Sequence, residues 1–246
     1  KIAIGNEIYL VDNREKGIAF PHFILIAKDK IGHRQLKELS SIAWMNSYYD
    51  RGLERVPTTK ADLKRIIKMN PGHLIATTAC IGGELSRNIL AMEDARKVGD
   101  KNEEVKSYNN IVNFMQYCID LFGEDFYVEI APGASKEQII ANNKLVQIAS
   151  IFKVKVVIGD DSHYLRKNDR YVHKAYLNSS EGDREVDAFY QYSYLHTEEE
   201  LAEDLAPSVG IMLKEFCANS MEMFNKISIY DLRHSQNIPT VEVKDY

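Results

Sequence analysis

Short apolar runs and longer stripes of apolar residues alternate along this chain, and the alternation predicts an α/β fold. The runs typical of strands are residues 2–11, 22–27, 73–78, 126–130 and 154–158. The segments between them repeat apolar positions three and four residues apart, which is typical of amphipathic helices. Because buried strands that alternate with helices usually form parallel sheets, we expect a mostly parallel sheet or barrel.

Capping and breaking residues set the expected bounds of the helices. The helices are expected at residues 32–48, 59–69, 84–122 with a break near Gly99-Asp100, 135–152, from 168, and from 197 onward. Pro71-Gly72 ends the second helix, and Thr197 with Glu200 matches the pattern of a capping box. The polar run from residue 12 to residue 17 predicts a hairpin loop between the first two strands.

The composition is that of an ordinary globular domain. Of the 246 residues, 45% are apolar and 27% are charged, and no apolar run approaches the ~20 residues of a membrane span. The net charge of −5 argues against a protein that binds duplex DNA mainly through its own surface. The three cysteines are far apart and form no C-x-x-C motif, which favours a reducing cytoplasm.

The strongest local signal is Asp161-Ser162-His163, which follows an apolar strand. On extended chain, Asp161 and His163 point to the same face while Asp160 turns aside. The carboxyl ends of strands are where α/β folds keep their sites, and Asp-x-His is a common way to present two ligands to one cation. The same pattern is also ordinary surface sequence, so it does not define a site by itself.

The predicted hairpin supplies a second pair of candidate ligands. If the loop at residues 12–17 sets the register, Glu7 lies opposite His22, with Cβ atoms ~5 Å apart. Pro21 is awkward in a ladder and is able to shift that register. The alternative is that Glu7 is a solvated strand residue and His22 only begins the second strand.

Cys80 is the third element, because it follows a predicted strand and precedes Gly82-Gly83. A thiolate there suits zinc or another borderline metal, whereas the alternative is a small buried apolar residue. Cys118 and Cys217 lie on apolar helical stripes and have only the second interpretation. Four histidines have no partner at ligand spacing and are assigned no site: His73, His173, His196 and His234.

Six segments of the chain resemble one known family when they are taken together. They are residues 4–10, 22–28, 32–36, 78–84, 123–129 and 159–165. The chain is similar in them to the PHP (polymerase and histidinol phosphatase) domain of bacterial DNA polymerase III alpha subunits. Residues 189–195 and 197–201 resemble the stretch that distinguishes polymerase-borne PHP domains from free-standing phosphatases, and the likeness continues to residues 238–239.

The resemblance implies an α/β fold of a particular kind, a distorted (β/α)7-type PHP barrel with a helical C-terminal extension. Residues 1–232 are expected to form the PHP domain, and residues 233–246 a linker toward a polymerase palm. The family begins with a His-x-His strand, an aspartate and another histidine upstream of its glutamate strand. This chain starts at the glutamate strand, so we expect a barrel that is incomplete at the N-terminus.

The resemblance also implies a metal site and its ligands. The family's ligand positions fall on Glu7, His22, Cys80, Asp161 and His163, with zinc as the first expectation and manganese or iron as alternatives. A multinuclear site of this kind suits phosphodiester hydrolysis, as a 3′→5′ proofreading exonuclease or in pyrophosphate hydrolysis. No palm carboxylates are expected in this chain, so it carries at most the PHP site of a DNA-directed DNA polymerase.

Two other functions are also compatible with the sequence. One is a non-catalytic scaffold that stabilises the polymerase and docks a proofreading exonuclease subunit, and the other is a free-standing histidinol-phosphatase-like enzyme. The expected partners are the rest of the polymerase chain, DNA through other domains, an exonuclease subunit and a sliding clamp, with no membrane. A replicative role implies the cytoplasm, in association with the nucleoid.

Overall fold

The computed structural model describes residues 1–179, 190–233, 235, 236 and 238. Eight strands occur in these residues. They are β1 (Ile4–Val11), β2 (His22–Ala27), β3 (Tyr48–Asp50), β4 (Leu53–Arg55), β5 (Thr58–Thr59), β6 (Leu74–Thr77), β7 (Phe126–Ile130) and β8 (Lys155–Ile158). Six of them form the main sheet in the order β5-β1-β2-β6-β7-β8, and β3 pairs with β4 in a separate hairpin.

The main sheet is rich in parallel pairs, as expected, and its one departure from a parallel arrangement is strand β2. Strands β1 and β2 are antiparallel, as are β2 and β6, whereas β1–β5, β6–β7 and β7–β8 are parallel pairs. Strand β2 returns directly from β1 through a loop and runs against the other five strands of this sheet, so it is antiparallel to both of its neighbours. The expected α/β class is confirmed, with a sheet and helices consistent with the expected barrel-like fold.

Eight α-helices surround the sheet in the described residues. They are α1 (Lys30–Met45), α2 (Lys60–Met69), α3 (Glu84–Val98), α4 (Lys101–Phe122), α5 (Lys136–Phe152), α6 (Arg170–Leu177), α7 (Glu198–Val209) and α8 (Leu213–Asn225). The side chains of Ser135 and Thr197 cap α5 and α7 as expected, and that of Thr59, expected as the first residue of α2, caps that helix instead. The expected break between α3 and α4 is also present, because Gly99 adopts φ 77° and ends α3. No described helix is long and apolar enough to cross a membrane.

Two expected helix bounds are wrong. The first helix was expected to reach residue 48 but ends at Met45, because Arg51 and Gly52 take positive φ angles of 51° and 75° and turn β3 back into β4. The two-residue turn requires extended chain on both sides, so the residues just before it form β3 although their apolar spacing is helical. The helix expected from residue 168 begins at Arg170 instead, after a short 3-10 turn at Lys167–Asp169.

The main core lies between the sheet and the helices that follow its strands. Phe23 of β2 packs edge-on against Phe114 of α4 with ring centroids 6.1 Å apart. The expected apolar stripe of α4 is buried at Ile111, Phe114, Met115 and Cys118. A smaller core on the other face joins Ile75, Tyr127 and Val157 of the sheet to Ile227, Met223 and Phe224.

The register of the first hairpin differs from the expected one. Tyr9 pairs with His22, and Glu7 pairs with Ile24 rather than with His22. The connection runs from residue 12 to residue 21, longer than the expected loop, and the Leu10 N–H donates to the Pro21 carbonyl at its base. The shift is two residues, so Glu7 and His22 still point to the same face of the sheet.

Helix α8 covers the outer edge of β8. The Ile158 N–H donates to the Ser220 hydroxyl at 3.1 Å, and the Asn219 amide donates to the Val156 carbonyl at 2.9 Å. Because these backbone groups point away from β7, the helix provides hydrogen-bond partners for groups that an uncovered edge strand would leave unpaired. The loop that follows β8, which carries Asp161 and His163, therefore leaves from a fixed strand.

Candidate metal centre

Three of the expected ligands meet at one end of the sheet. The Nδ1 atom of His22 lies 2.6 Å from Oε1 of Glu7, and Sγ of Cys80 lies 3.4 Å from the same nitrogen. The three donor atoms all lie within 4.8 Å of one another, and no other group of at least three such donors occurs in the described part of the chain. One oxygen, one nitrogen and one sulfur donor at this spacing suit a borderline transition metal.

The backbone after β6 places the sulfur of Cys80. Gly83 turns so tightly that a Cβ atom there would lie 2.2 Å from the Thr78 carbonyl oxygen, which makes glycine a requirement of this turn. The Gly83 N–H donates to the Cys80 carbonyl at 2.9 Å, and the His22 N–H donates to the Gly82 carbonyl at 3.2 Å. These bonds hold the cysteine beside the first residue of β2.

Asp161 and His163 lie beside this cluster rather than within its tightest part. The Asp161 carboxyl hydrogen-bonds the Cys80 side chain and interacts electrostatically with Glu7 and His163. Nδ1 of His163 lies 2.8 Å from the Asp161 carbonyl oxygen and 3.9 Å from its Oδ1. The expected extended chain is wrong at this point, because Asp161 has a φ of 45° and bends the loop.

The charges of the cluster favour a cation. The hydrogen bond with Cys80, and then that with Glu7, raises the pKa of His22 to about 10. The hydrogen bond with His22 lowers the pKa of Glu7 despite its partial burial. Without a metal, the imidazole thus keeps its proton between the Glu7 carboxylate and the Cys80 sulfur, in the place where a cation would lie.

A buried carboxyl that no local sequence pattern marks as a site residue lies under the donors. Glu129 of β7 accepts a hydrogen bond from the Thr77 hydroxyl, and burial raises its pKa to about 7. A Cβ atom on Gly159 would lie 1.9 Å from Oε1 of Glu129, so the glycine makes room for the acid. An acidic residue inside the apolar run 126–130 was the available signal.

Two cavities adjoin the donors. One, of about 220 Å³, extends from Glu7 and Cys80 to Glu129 on the face of the sheet that carries the smaller core. The other, of about 190 Å³, is an open cleft with Cys80 and Asp161 on one side and the segment after β7 and Tyr192 on the other. The cleft gives a phosphate-sized group access to the donor atoms.

Two of the histidines that were assigned no site lie next to the candidate ligands. His196 lies between the carboxylates of Asp160 and Asp204, so Asp160 does turn aside as expected. The ring of His173 packs against that of His163 with centroids 5.5 Å apart. The partners of His196 are 36 and 8 residues away in sequence, a separation that no local spacing rule detects.

The other two histidines have no place at the centre. His73 pairs with Asp29 at 2.7 Å, at the start of β6 and therefore at the opposite end of that strand from Cys80. His234 lies outside the described residues. His73 and its partner Asp29 are thus remote from the centre, whereas His173 and His196 are adjacent to it.

Comparisons with known proteins agree with the fold. A family profile of the PHP domain matches residues 1–132. The whole chain is 38% identical to the probable DNA polymerase YorL of Bacillus subtilis and covers 20% of that protein. It is 33% identical to the DNA polymerase III subunit alpha of Aquifex aeolicus over 62% of this chain and 11% of that subunit.

The chain spans about one fifth or less of these relatives. A third relative, the DNA polymerase III subunit alpha of Borreliella burgdorferi, is 34% identical over 60% of this chain and 11% of its own length. Glu7, His22 and Cys80 lie inside the matched family segment, whereas Asp161 and His163 lie beyond it. Since the matched segment is more than half of the sequence, the chain belongs to the PHP domain family.

Proposed function

We propose that this chain is the PHP domain of a replicative DNA polymerase of the DNA polymerase III alpha type. The relatives named as DNA polymerases support this proposal, one of them along the whole chain. Residues 1–232 form the domain in this proposal, and residues 233–246 lead toward the polymerase palm. The protein then acts in the cytoplasm, in association with the nucleoid.

The observation that carries the proposal is the convergence of Glu7, His22 and Cys80 within 4.8 Å. We propose that they bind divalent transition-metal ions, with Asp161 and His163 as further ligands beside them. A mixed set of oxygen, nitrogen and sulfur donors favours zinc, and then manganese or iron, over magnesium, which prefers oxygen alone.

The arrangement suits hydrolysis of a phosphodiester or of pyrophosphate. Bound divalent cations lower the pKa of a water molecule and balance the charge of the phosphoryl group under attack. The protein contributes the acidic side chains of Glu7 and Asp161, which hold the cations, and the cleft beside Cys80, which admits the phosphate. The substrate in this proposal is the 3′ end of a DNA strand or pyrophosphate released by nucleotide addition.

Other parts of the polymerase supply the contacts with DNA in this proposal. The net charge of −5 makes this chain a poor binder of a polyanion by itself. We therefore propose that the strand reaches the cleft from neighbouring domains of the same polypeptide. A proofreading exonuclease subunit and a sliding clamp are the further partners.

The test is a cleavage assay on the complete protein, loaded in turn with Zn(II), Mn(II) and Fe(II). The substrates are a 5′-labelled DNA oligonucleotide and pyrophosphate. We expect stepwise shortening from the 3′ end or release of phosphate. We expect Cys80→Ser and His163→Ala to lower the rate by more than the ~10–100-fold typical of a lost outer-shell partner.

The matched control is His73→Gln, because His73 forms a comparable pair with Asp29 at the far end of β6. This variant should retain the full rate. Equal cleavage by the unaltered protein and by both ligand variants would contradict the proposal, since it would indicate a contaminating nuclease. A protein that binds metal but cleaves neither substrate would favour the non-catalytic scaffold.

A further inference from the structure

A histidine whose side chain is fully buried joins the loop after β8 to helix α7. The His196 side chain has no exposed surface, and its ring stacks on that of Tyr194 with centroids 3.9 Å apart. Nδ1 lies 2.5 Å from Oδ1 of Asp160, and Nε2 lies 3.2 Å from Oδ2 of Asp204. Both ring nitrogens therefore face carboxylates.

This geometry requires a charged imidazole. A neutral ring has one N–H and can donate to only one acceptor, whereas the imidazolium donates from both nitrogens. The Tyr194 hydroxyl also donates to Oδ2 of Asp204, at 3.2 Å, so the acceptor on α7 is held in place. A buried charge with two acceptors on opposite sides is a directional link between the two segments.

The link reaches the candidate ligands through Asp160. Its carboxylate accepts from the His196 ring, from the His196 N–H at 3.1 Å and from the Ser162 hydroxyl at 2.7 Å. Farther along the same loop, the His163 N–H donates to the Ser193 carbonyl at 2.8 Å. The loop that carries Asp161 and His163 is thus attached to residues 193–196 at two points.

The loop needs such attachment because its backbone is not in a relaxed conformation. Asp161 has a φ of 45°, in the left-handed region that costs a non-glycine residue ~1 kcal/mol or more. Released from its neighbours, the chain at Asp161 would favour an extended or right-handed conformation. Either change would carry the Asp161 carboxyl away from Cys80.

We propose that His196 is a positioning residue that holds Asp161 and His163 against Glu7, His22 and Cys80. The inference rests on the proposed metal centre. In it, the segment before α7 holds two of the five ligands in place. His196 does not contact the metal in this proposal. It acts through Asp160, which fixes the direction in which the next residue leaves β8.

The test compares two amide variants of His196 in the complete protein, with Co(II) as the probe. Asparagine places an amide donor close to the position of Nδ1 and keeps the bond to Asp160. Glutamine places its amide close to Nε2, keeps the bond to Asp204 and loses the side-chain bond to Asp160, while the backbone bond to Asp160 remains in both variants. Both variants lose the ring and its stacking on Tyr194, so they share the same packing defect.

Cobalt bound to a thiolate gives a charge-transfer band, and its visible bands report ligand geometry. Cys80→Ser identifies which band belongs to this centre. We expect His196→Gln to weaken cobalt binding ~10–100-fold, the usual effect of a lost outer-shell partner, and to shift the visible bands. We expect His196→Asn to bind within a few-fold of the unaltered protein with unshifted bands.

The outcomes separate this inference from the proposed function. A thiolate band that is absent from the unaltered protein contradicts the metal centre itself, and the inference fails with it. A band that is present and equally affected, or equally unaffected, in both His196 variants contradicts the inference alone. If the two variants fail to fold, Asp160→Asn decides, because it must weaken cobalt binding as His196→Gln is expected to do.

Discussion

At the scale of single residues, the proton on His22 competes with a metal for the same place. Hydrogen bonds with Cys80 and Glu7 raise the pKa of His22 to about 10, so the imidazole is charged at neutral pH in the metal-free protein. A metal ligand must be deprotonated, and binding therefore releases the proton. We expect Zn(II) affinity to rise with pH throughout the neutral range.

Titration calorimetry in buffers with different ionisation enthalpies measures this release directly. The expected result is at least ~1 proton released per zinc bound at neutral pH. Cys80→Ser should release fewer protons, because the strongest contribution to the raised pKa of His22 is lost. A binding enthalpy that does not depend on the buffer would contradict the assignment of His22 as a ligand.

Glu129 gives a second prediction at the residue scale, for the metal-free protein. Burial raises the pKa of this carboxyl from 4.5 to about 7, so the folded protein holds a proton that the unfolded chain releases above its lower pKa. The stabilisation is fully present below pH 4.5 and is lost as pH rises through 7, with a total on the order of 3 kcal/mol.

Urea unfolding in the presence of a chelator, across this pH window, measures the effect. The Glu129→Gln variant keeps an acceptor for the Thr77 hydroxyl but does not titrate. It should therefore show a smaller loss of stability with rising pH than the unaltered protein. Equal slopes for the two proteins would show that Glu129 is not the group that titrates.

At the scale of elements, one close contact fixes helix α1 on the sheet. A Cβ atom on Gly32 would lie 2.0 Å from the His73 carbonyl oxygen, just before β6. Backbone cannot yield to such an overlap, so Gly32→Ala must push α1 away from β6. We expect a loss of unfolding free energy of about 2–3 kcal/mol.

Gly210→Ala is the matched control for that substitution. Gly210 has a φ of −46°, and the nearest atom to its added Cβ would be a side-chain carbon of Ala206 at 3.6 Å. Urea unfolding of this variant should match that of the unaltered protein. Equal stability losses in the two alanine variants would contradict the close approach of α1 and β6.

Sequence rules predicted the elements better than their pairing. The ends of β2, β7 and α5 follow from apolar runs and a capping serine, because those signals act within a few residues. The predicted β1–β2 register was wrong by two residues, because the register depends on the length of the connecting loop and not on the sequences of the strands. The bend at Asp161 depends on contacts with residues 193–196, which no local pattern contains.

At the scale of the whole molecule, the candidate centre exists only in the folded chain. Its residues come from β1, the start of β2, the loop after β6 and the loop after β8, between positions 7 and 163. Local patterns raised the five candidates as three separate signals, and the resemblance to a family grouped them into one centre, since it carries information on tertiary contacts that spacing lacks. It did not identify His196 or Glu129, which the fold places beside those five residues.

A centre assembled from four segments must stabilise the folded state when it binds metal. At 100-fold excess over the dissociation constant, mass action adds about 2.7 kcal/mol to the free energy of unfolding. Removing the metal with a chelator should therefore lower the unfolding temperature of the unaltered protein. It should have little effect on a Cys80→Ser variant, which lacks the sulfur donor.

Metal content tests the central claim most directly. The complete protein, equilibrated with zinc, manganese and iron and then freed of loose ions, is measured by plasma mass spectrometry beside His163→Ala, Cys80→Ser and the control His73→Gln. The proposed centre predicts at least ~1 equivalent of transition metal in the unaltered protein and the control, and a loss in both ligand variants. Equal metal content in all four proteins, or none in any of them, would contradict it.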